Sequence, residues 1–421
     1  MKPPTRPLID RSLPVLAEGY GWLPDRMRQH PDRVLRTRLL GRPALAVRGP
    51  DAVRFFYDEA NVRRHGALPE PVLGTLFGRA AVHTLDGPAH RARKSLFLPL
   101  LRADRIAGLA EQVGAVWDET AGTWSARERV VLMDEAGVIL TRGVCRWAGI
   151  PLAAQEAEPL ARDLMAMVDG FATAGPRHWR ARRARGRQER RFTRLIEDVR
   201  SGRARAPEGS VLDAVARHRD TVDEPLPART AAVELLNVIR PTVAVSWFVA
   251  FTAHALHRWP ENRERLRDGD TAFTAAFVHE VRRFYPFAPF LGGLAVRDLT
   301  FRGRSLPAGG LVVLDVYGQN HDEELWGDPY VFRPARFLQR PVEPDELIPQ
   351  GGGDPATGHR CPGEGLTVGL LETLATRLAR LDHDVPPQDL TIPLGRIPTR
   401  VRSGFVVTGV RASADRPVRV A

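Results

Sequence analysis

The chain has 421 residues, of which 43% are hydrophobic, so it can bury a large core in one domain or in several. Its two cysteines, Cys145 and Cys361, exclude a disulfide framework and a multi-cysteine zinc site. The formal charge of +11 comes almost wholly from arginine; it admits attraction to nucleic acid, to an anionic membrane or to an acidic substrate, and compositional bias accounts for it as well.

In chain order, Arg36 to Val53 alternates apolar and β-branched residues between Gly41, Pro43 and Pro50, which predicts a short strand pair. Residues 87–120, 134–149, 153–170, 178–201, 228–257, 260–267 and 271–284 carry helical spacing or composition. Beyond Pro286 the runs Leu291 to Val296, Leu299 to Phe301 and Leu311 to Tyr317 predict short strands, a last helix spans Glu364 to Leu381, and β-like segments follow. The fold class expected is mainly α with small β-sheets. No repeat or Gly/Ser-rich linker divides the chain, so one domain is expected over 1–421, with β-containing parts near 30–65, 286–345 and 385–410 and helical parts near 87–284 and 364–381.

No run of eighteen apolar residues occurs, and Met1 to Ser12 holds three prolines and several charges, so the expectation is a cytoplasmic protein with no signal peptide and no integral membrane segment. The basic stretch Arg177 to Arg194 lacks the alternating aromatics that stack bases. It predicts a solvated helix face and no nucleic-acid partner.

Cys361 lies in Gln350-Gly-Gly-Gly-Asp-Pro-Ala-Thr-Gly-His-Arg-Cys-Pro-Gly-Glu364, a glycine-crowded loop just ahead of a helix. Glycines allow close approach of backbone to a flat ligand, and N–H groups at the helix start can hold the sulfur as thiolate. Cys145, on a helical stretch, reads as an ordinary buried cysteine.

Gly358-His-Arg-Cys361-Pro-Gly363 resembles the haem-binding loop of the cytochrome P-450 superfamily, with Asp354 where a phenylalanine is usual. Glu280-Val-Arg-Arg283 resembles the superfamily's Glu-x-x-Arg pair, and Arg336 the arginine that completes its triad. The resemblance implies haem b (iron protoporphyrin IX) held by Cys361 between the long central helix and the cysteine loop. It further implies that His90, Lys94 and His359 face the haem propionates.

Where the superfamily's central helix carries an acid–alcohol proton relay, this chain has Arg240-Pro241, a permanent cation followed by a helix-breaking residue. A buried arginine needs an anion, and a substrate carboxylate docked on it can carry the proton that peroxide cleavage requires. Arg240-Pro241 with the Gln-Gly-Gly-Gly run resembles the fatty-acid peroxygenase branch. That implies hydrogen peroxide as oxidant, a fatty-acid substrate oxidised at Cα or Cβ to hydroxy acids or terminal alkenes, and no obligatory redox partner.

Two other readings stand beside it: a monooxygenase that needs a redox partner, and a haem-binding sensor or carrier without turnover. By matching position, His83 bears on hydroxylation against decarboxylation, acting with a near-neutral pKa. Phe77, Phe171, Phe287, Pro289 and Leu291 are candidate walls of an acyl channel.

Overall fold

A computed structural model describes residues 9–221 and 223–411. The remaining residues, which include most of the N-terminal stretch used to argue against a signal peptide and the two ends of the expected 1–421 domain, lie outside the described residues.

The N-terminal strand pair forms as Val34–Leu39 and Arg42–Val47 in antiparallel register, Leu35 opposite Ala46. Leu40 and Gly41 both take positive φ (51° and 74°), the two-residue turn whose twist suits a hairpin. The pair extends into a five-stranded sheet: Arg42–Val47 runs parallel to Leu311–Leu314, then come Leu291–Ala295 and Val62–Arg63. Leu45, Val47, Val312 and Leu314 on this sheet bury fully against Ala52, Val53 and Phe56 of the helix Pro50–Tyr57.

The larger core is helical and gathers around one helix, Ala228–Arg258, whose residues are buried on every side rather than along one stripe. Helices Ala103–Ala121, Leu132–Ala148, Ala154–Asp169, Pro176–Arg200 and Glu364–Arg380 pack on it or on its neighbours. Leu132–Ala148 stops at Gly149, which adopts φ 72° and ψ 24° while Ile150 N–H bonds Cys145 C=O, a glycine-capped C-terminus. The central helix is long and apolar enough to cross a bilayer, and 94% of its most apolar window is buried within the protein. It is the core helix.

Several expectations need correction. The helical segment expected over 87–120 divides into Gly87–Lys94 and Ala103–Ala121, because Pro99, with no N–H to donate, starts a 3-10 turn between them. The strand expected to run to Tyr317 ends at Leu314; Asp315 accepts from Gly318 N–H at 2.9 Å and caps a helix, Val316–Asn320. The helix Val211–Arg217 carries no strong periodic signal and was not expected. Pro241 does not break its helix, which continues through it to Arg258; only the ladder bond to Asn237 C=O is lost, and packing on both sides outweighs it. The Arg177–Arg194 stretch is not wholly solvated either: Ala181, Ala184, Arg185, Gln188, Glu189 and Phe192 are buried, and the exposed face carries Trp179, Arg180, Arg183 and Arg187.

Candidate active site between the central helix and the cysteine loop

Helix Thr271–Phe284 starts on Asp270, which accepts from Phe273 N–H at 2.9 Å, and stops at Tyr285 ahead of Pro286. Glu280 and Arg283 lie one turn apart on it and meet in a two-pronged pair at 2.8 Å for each bond, and Arg336 Nε stands 3.1 Å from the same carboxylate. Glu280 and Arg283 are fully buried. Arg283 and Arg336 also donate to backbone carbonyls of Asn320, Pro329, Trp326 and Val331, so the triad ties this helix to the segment that leads into the cysteine loop. Removing one member of such a buried pair leaves an uncompensated charge and costs about 3–5 kcal/mol.

The loop then presents Cys361. Its N–H donates to Gln350 C=O at 3.3 Å, and the Gln350 side-chain amide reaches Cys361 Sγ at 3.9 Å and Thr367 Oγ1 at 3.0 Å. Arg282 donates to Gln350 at 3.2 Å and also pairs with Glu364, fixing the amide. Gln350 thus faces the sulfur, a role the Gln-Gly-Gly-Gly run did not signal.

Burial raises the Cys361 thiol above its ordinary pKa, while the Gly363 N–H, Lys94 and Gln350 act against that. Donors gathered on a half-buried sulfur suit a thiolate bound to a metal cation.

Three glycines of this loop have a packing role that was not expected. A Cβ on Gly351 would stand 2.3 Å from Tyr57 Oη, one on Gly352 2.3 Å from Val53, and one on Gly353 3.0 Å from Tyr57. Gly351 and Gly353 also hold φ of 93° and 75°, which favours glycine. They let the loop lie flat on helix Pro50–Tyr57. Of the loop glycines, Gly363 is the one beside the sulfur. Asp354 accepts from Ala356 and Thr357 N–H at 2.7 Å each and closes a turn.

His90, Lys94 and His359 converge on the same loop. The His90 and His359 rings stack at 3.9 Å, and His359 Nε2 lies 3.2 Å from Asp86. Lys94 is buried and donates to Gly358 C=O and, at 3.0 Å, to Arg360 C=O. Burial lowers its pKa to about 8. Burial and the neighbouring His359 lower His90 to about 3, and its Nδ1 is buried without a hydrogen-bond partner.

On the central helix, Pro241 is the exposed position in a stretch, Ala231 to Leu256, that is otherwise buried or half-buried. A thiol with donors, basic residues with an orphaned ring nitrogen, and one exposed position, Pro241, on an otherwise covered core helix fit a haem-thiolate centre.

Arg240 is buried, and among the described residues no carboxylate pairs with it. Its Nη2 donates to Asn237 Oδ1 at 3.4 Å, and its Nε has no partner. Burial, reinforced by Arg185, lowers its pKa to about 9, so it stays charged at neutral pH. Arg185 is compensated: it donates to Glu189 at 2.7 Å and to the Leu76 and Phe77 carbonyls at 2.7 and 3.1 Å. The free positive charge of the pair is therefore Arg240.

Phe77 and His83 stand beside it. The Arg240 guanidinium carbon is 5.7 Å from the Phe77 ring centre, and Phe77 tilts onto the His83 ring at 4.2 Å. Burial, then Arg240, lowers His83 to about 3. The near-neutral pKa expected for His83 does not hold in the substrate-free protein, where burial first and the uncompensated arginine second both disfavour the charged ring.

The other expected wall residues are spread out. Phe287 packs on Phe248 of the central helix at 4.7 Å, Pro289 C=O accepts from Tyr317 N–H at 3.1 Å, and Leu291 faces Leu314 in the sheet. Phe171 packs against Tyr20, Tyr317 and Ile397. The threonine that follows Pro241 is no free relay hydroxyl: Thr242 Oγ1 donates back to Val238 C=O at 2.9 Å.

The chain matches the cytochrome P-450 family over residues 270–395. Its fold matches the structure of cytochrome P-450SP alpha (CYP152B1) in complex with (R)-ibuprophen at TM-score 0.93 and 39% identity, over 96% of this chain and 99% of that one. Ligand-free cytochrome P-450 OleT matches at TM-score 0.94 and 38% identity, over 98% and 99%. An OleT variant in complex with arachidonic acid matches at 0.94 and 37%, over the same shares. Among curated proteins, human cytochrome P-450 4A11 is 29% identical over 182 residues, 38% of this chain. That alignment covers 33% of the human protein, so the chain spans about a third of the length of the curated relatives it matches.

Proposed function

This chain belongs to the cytochrome P-450 family, and we propose that it is a haem-thiolate fatty-acid peroxygenase, which spends hydrogen peroxide to oxidise fatty acids near the carboxylate. The observation that carries this reading is Arg240, a buried cation that pairs with no carboxylate among the described residues, next to Phe77 and His83.

Cys361 would hold the haem iron, with His90, Lys94 and His359 toward its propionates. When bound, the haem supplies the oxidising power drawn from peroxide. Arg240 binds the substrate carboxylate; that ion pair removes the cost of an unpaired buried charge and fixes which carbons come within reach. The bound carboxylate, held beside the peroxide, carries the proton that Thr242 cannot.

Phe77 closes over the guanidinium, and Phe287, Pro289 and Leu291 belong to the wall of the acyl chain, with Phe171 farther along it. His83, neutral at pH 7 in the substrate-free protein, can donate one hydrogen bond.

The two outcomes balance. An acid and hydrogen peroxide give a hydroxy acid and water, or a terminal alkene, carbon dioxide and two waters.

The test is haem-loaded protein with hydrogen peroxide and a series of saturated fatty acids, without a reductase. Hydroxy acids or alkenes are expected. Product that forms only when a ferredoxin, its reductase and a nicotinamide donor are added would replace this reading with a redox-partner monooxygenase.

A further inference from the structure

The buried carboxylate of Glu234 lies outside the roles assigned above. It sits on the central helix three residues before Asn237, which is three before Arg240, so the three side chains follow one helix face. Glu234 Oε1 accepts from Arg93 Nη1 and from Val82 N–H, both at 2.8 Å, and Oε2 accepts from Asn237 Nδ2 at 3.2 Å. Arg93 is itself fixed, donating to Ala80 C=O at 3.1 Å and to Asp220 at 3.2 Å. Nothing in the chemistry of the haem loop requires this network.

We infer that Glu234 is a positioning residue for substrate binding: it sets the polarity of the Asn237 amide and thereby aims Arg240 at the fatty-acid carboxylate. The inference rests on the proposed role of Arg240.

A carboxylate only accepts, so Asn237 must turn its NH2 toward Glu234. Its carbonyl oxygen then faces the other way and accepts from Arg240. Arg93 completes the arrangement by neutralising Glu234, so the carboxylate orients Arg240 without cancelling its charge. Were Glu234 to pair with Arg240 directly, no positive charge would remain for a substrate.

Glu234→Gln separates orientation from packing. The glutamine oxygen is held by Arg93 and Val82 N–H, since turning its NH2 toward them would set donor against donor. Its NH2 therefore faces Asn237, which must rotate its carbonyl toward position 234 and present NH2 to Arg240. Arg240 loses its acceptor while the volume stays the same.

The experiment measures equilibrium affinity of haem-loaded protein for a fatty acid and for the primary alcohol of the same length. Glu234→Gln is expected to weaken acid binding about tenfold, the scale of one charge-assisted hydrogen bond, and to leave alcohol binding within about twofold. Asn237→Leu, at a half-buried position, should match that loss, and combining the two should add nothing further.

Equal weakening of acid and alcohol, unchanged acid affinity, or additive losses would each overturn the inference. Should Glu234→Gln not fold, Asn237→Leu alone must show the selective loss. Arg240→Ala is measured alongside: if it too leaves acid affinity intact, the proposed function fails, and if it removes acid binding while Glu234→Gln does not, only the positioning role fails.

Discussion

Arg240→Ala is expected to lower fatty-acid oxidation by roughly 100-fold or more while the haem stays bound, since losing one partner of a buried ion pair costs about 2–5 kcal/mol. The substrate-free protein should not suffer. Arg240 is buried with an unpaired Nε and a depressed pKa of about 9, so its charge is a cost until an anion arrives. Alanine removes that cost, and the thermal midpoint of the substrate-free variant should hold or rise. Fatty acid should then raise the midpoint of the parent protein and leave that of the variant unchanged. A structural arginine would behave in the opposite way, losing stability without substrate and keeping its turnover.

Cys361→Ser should act on the cofactor rather than on the substrate. The loop geometry around residue 361 rests on its N–H bond to Gln350 C=O and on the packing of Gly351 to Gly353 against Tyr57, none of which needs sulfur. Fold and melting behaviour should therefore survive. Peroxide-driven turnover should be lost, and the reduced carbon monoxide complex should lose the red-shifted absorption that a thiolate ligand gives. Persistence of that band in the serine variant would refute the ligand assignment.

Local signals made much of this protein legible in its sequence. Helices such as Thr271–Phe284 and Ala228–Arg258 were marked by apolar spacing or composition, and Glu280, Arg283, Arg336 and Cys361 by their resemblance to the superfamily's motifs. Arg240-Pro241 stood out because no local rule favours a cation and a proline inside an apolar helix.

What stayed hidden depends on contacts between distant residues. Glu234 meets Arg93 and Val82 across 141 and 152 positions, and nothing near it in the chain signals those partners. Gln350 looked like the edge of a glycine run until folding placed its amide on the sulfur. The packing of Gly351 to Gly353 stayed hidden for the same reason, because Tyr57 lies nearly 300 residues away. His83 was misjudged electrostatically: an unperturbed histidine titrates near neutrality, and only the fold shows it buried beside Arg240.

The central claim is that the substrate's own carboxylate, docked on Arg240, completes the catalyst. The most direct measurement gives haem-loaded protein hydrogen peroxide and, in parallel, a saturated fatty acid and the primary alcohol of equal chain length, and counts oxidised product per mole of protein. The account predicts steady turnover of the acid and turnover of the alcohol lower by roughly 100-fold, the scale of a lost buried ion pair. Equal turnover of acid and alcohol would contradict it.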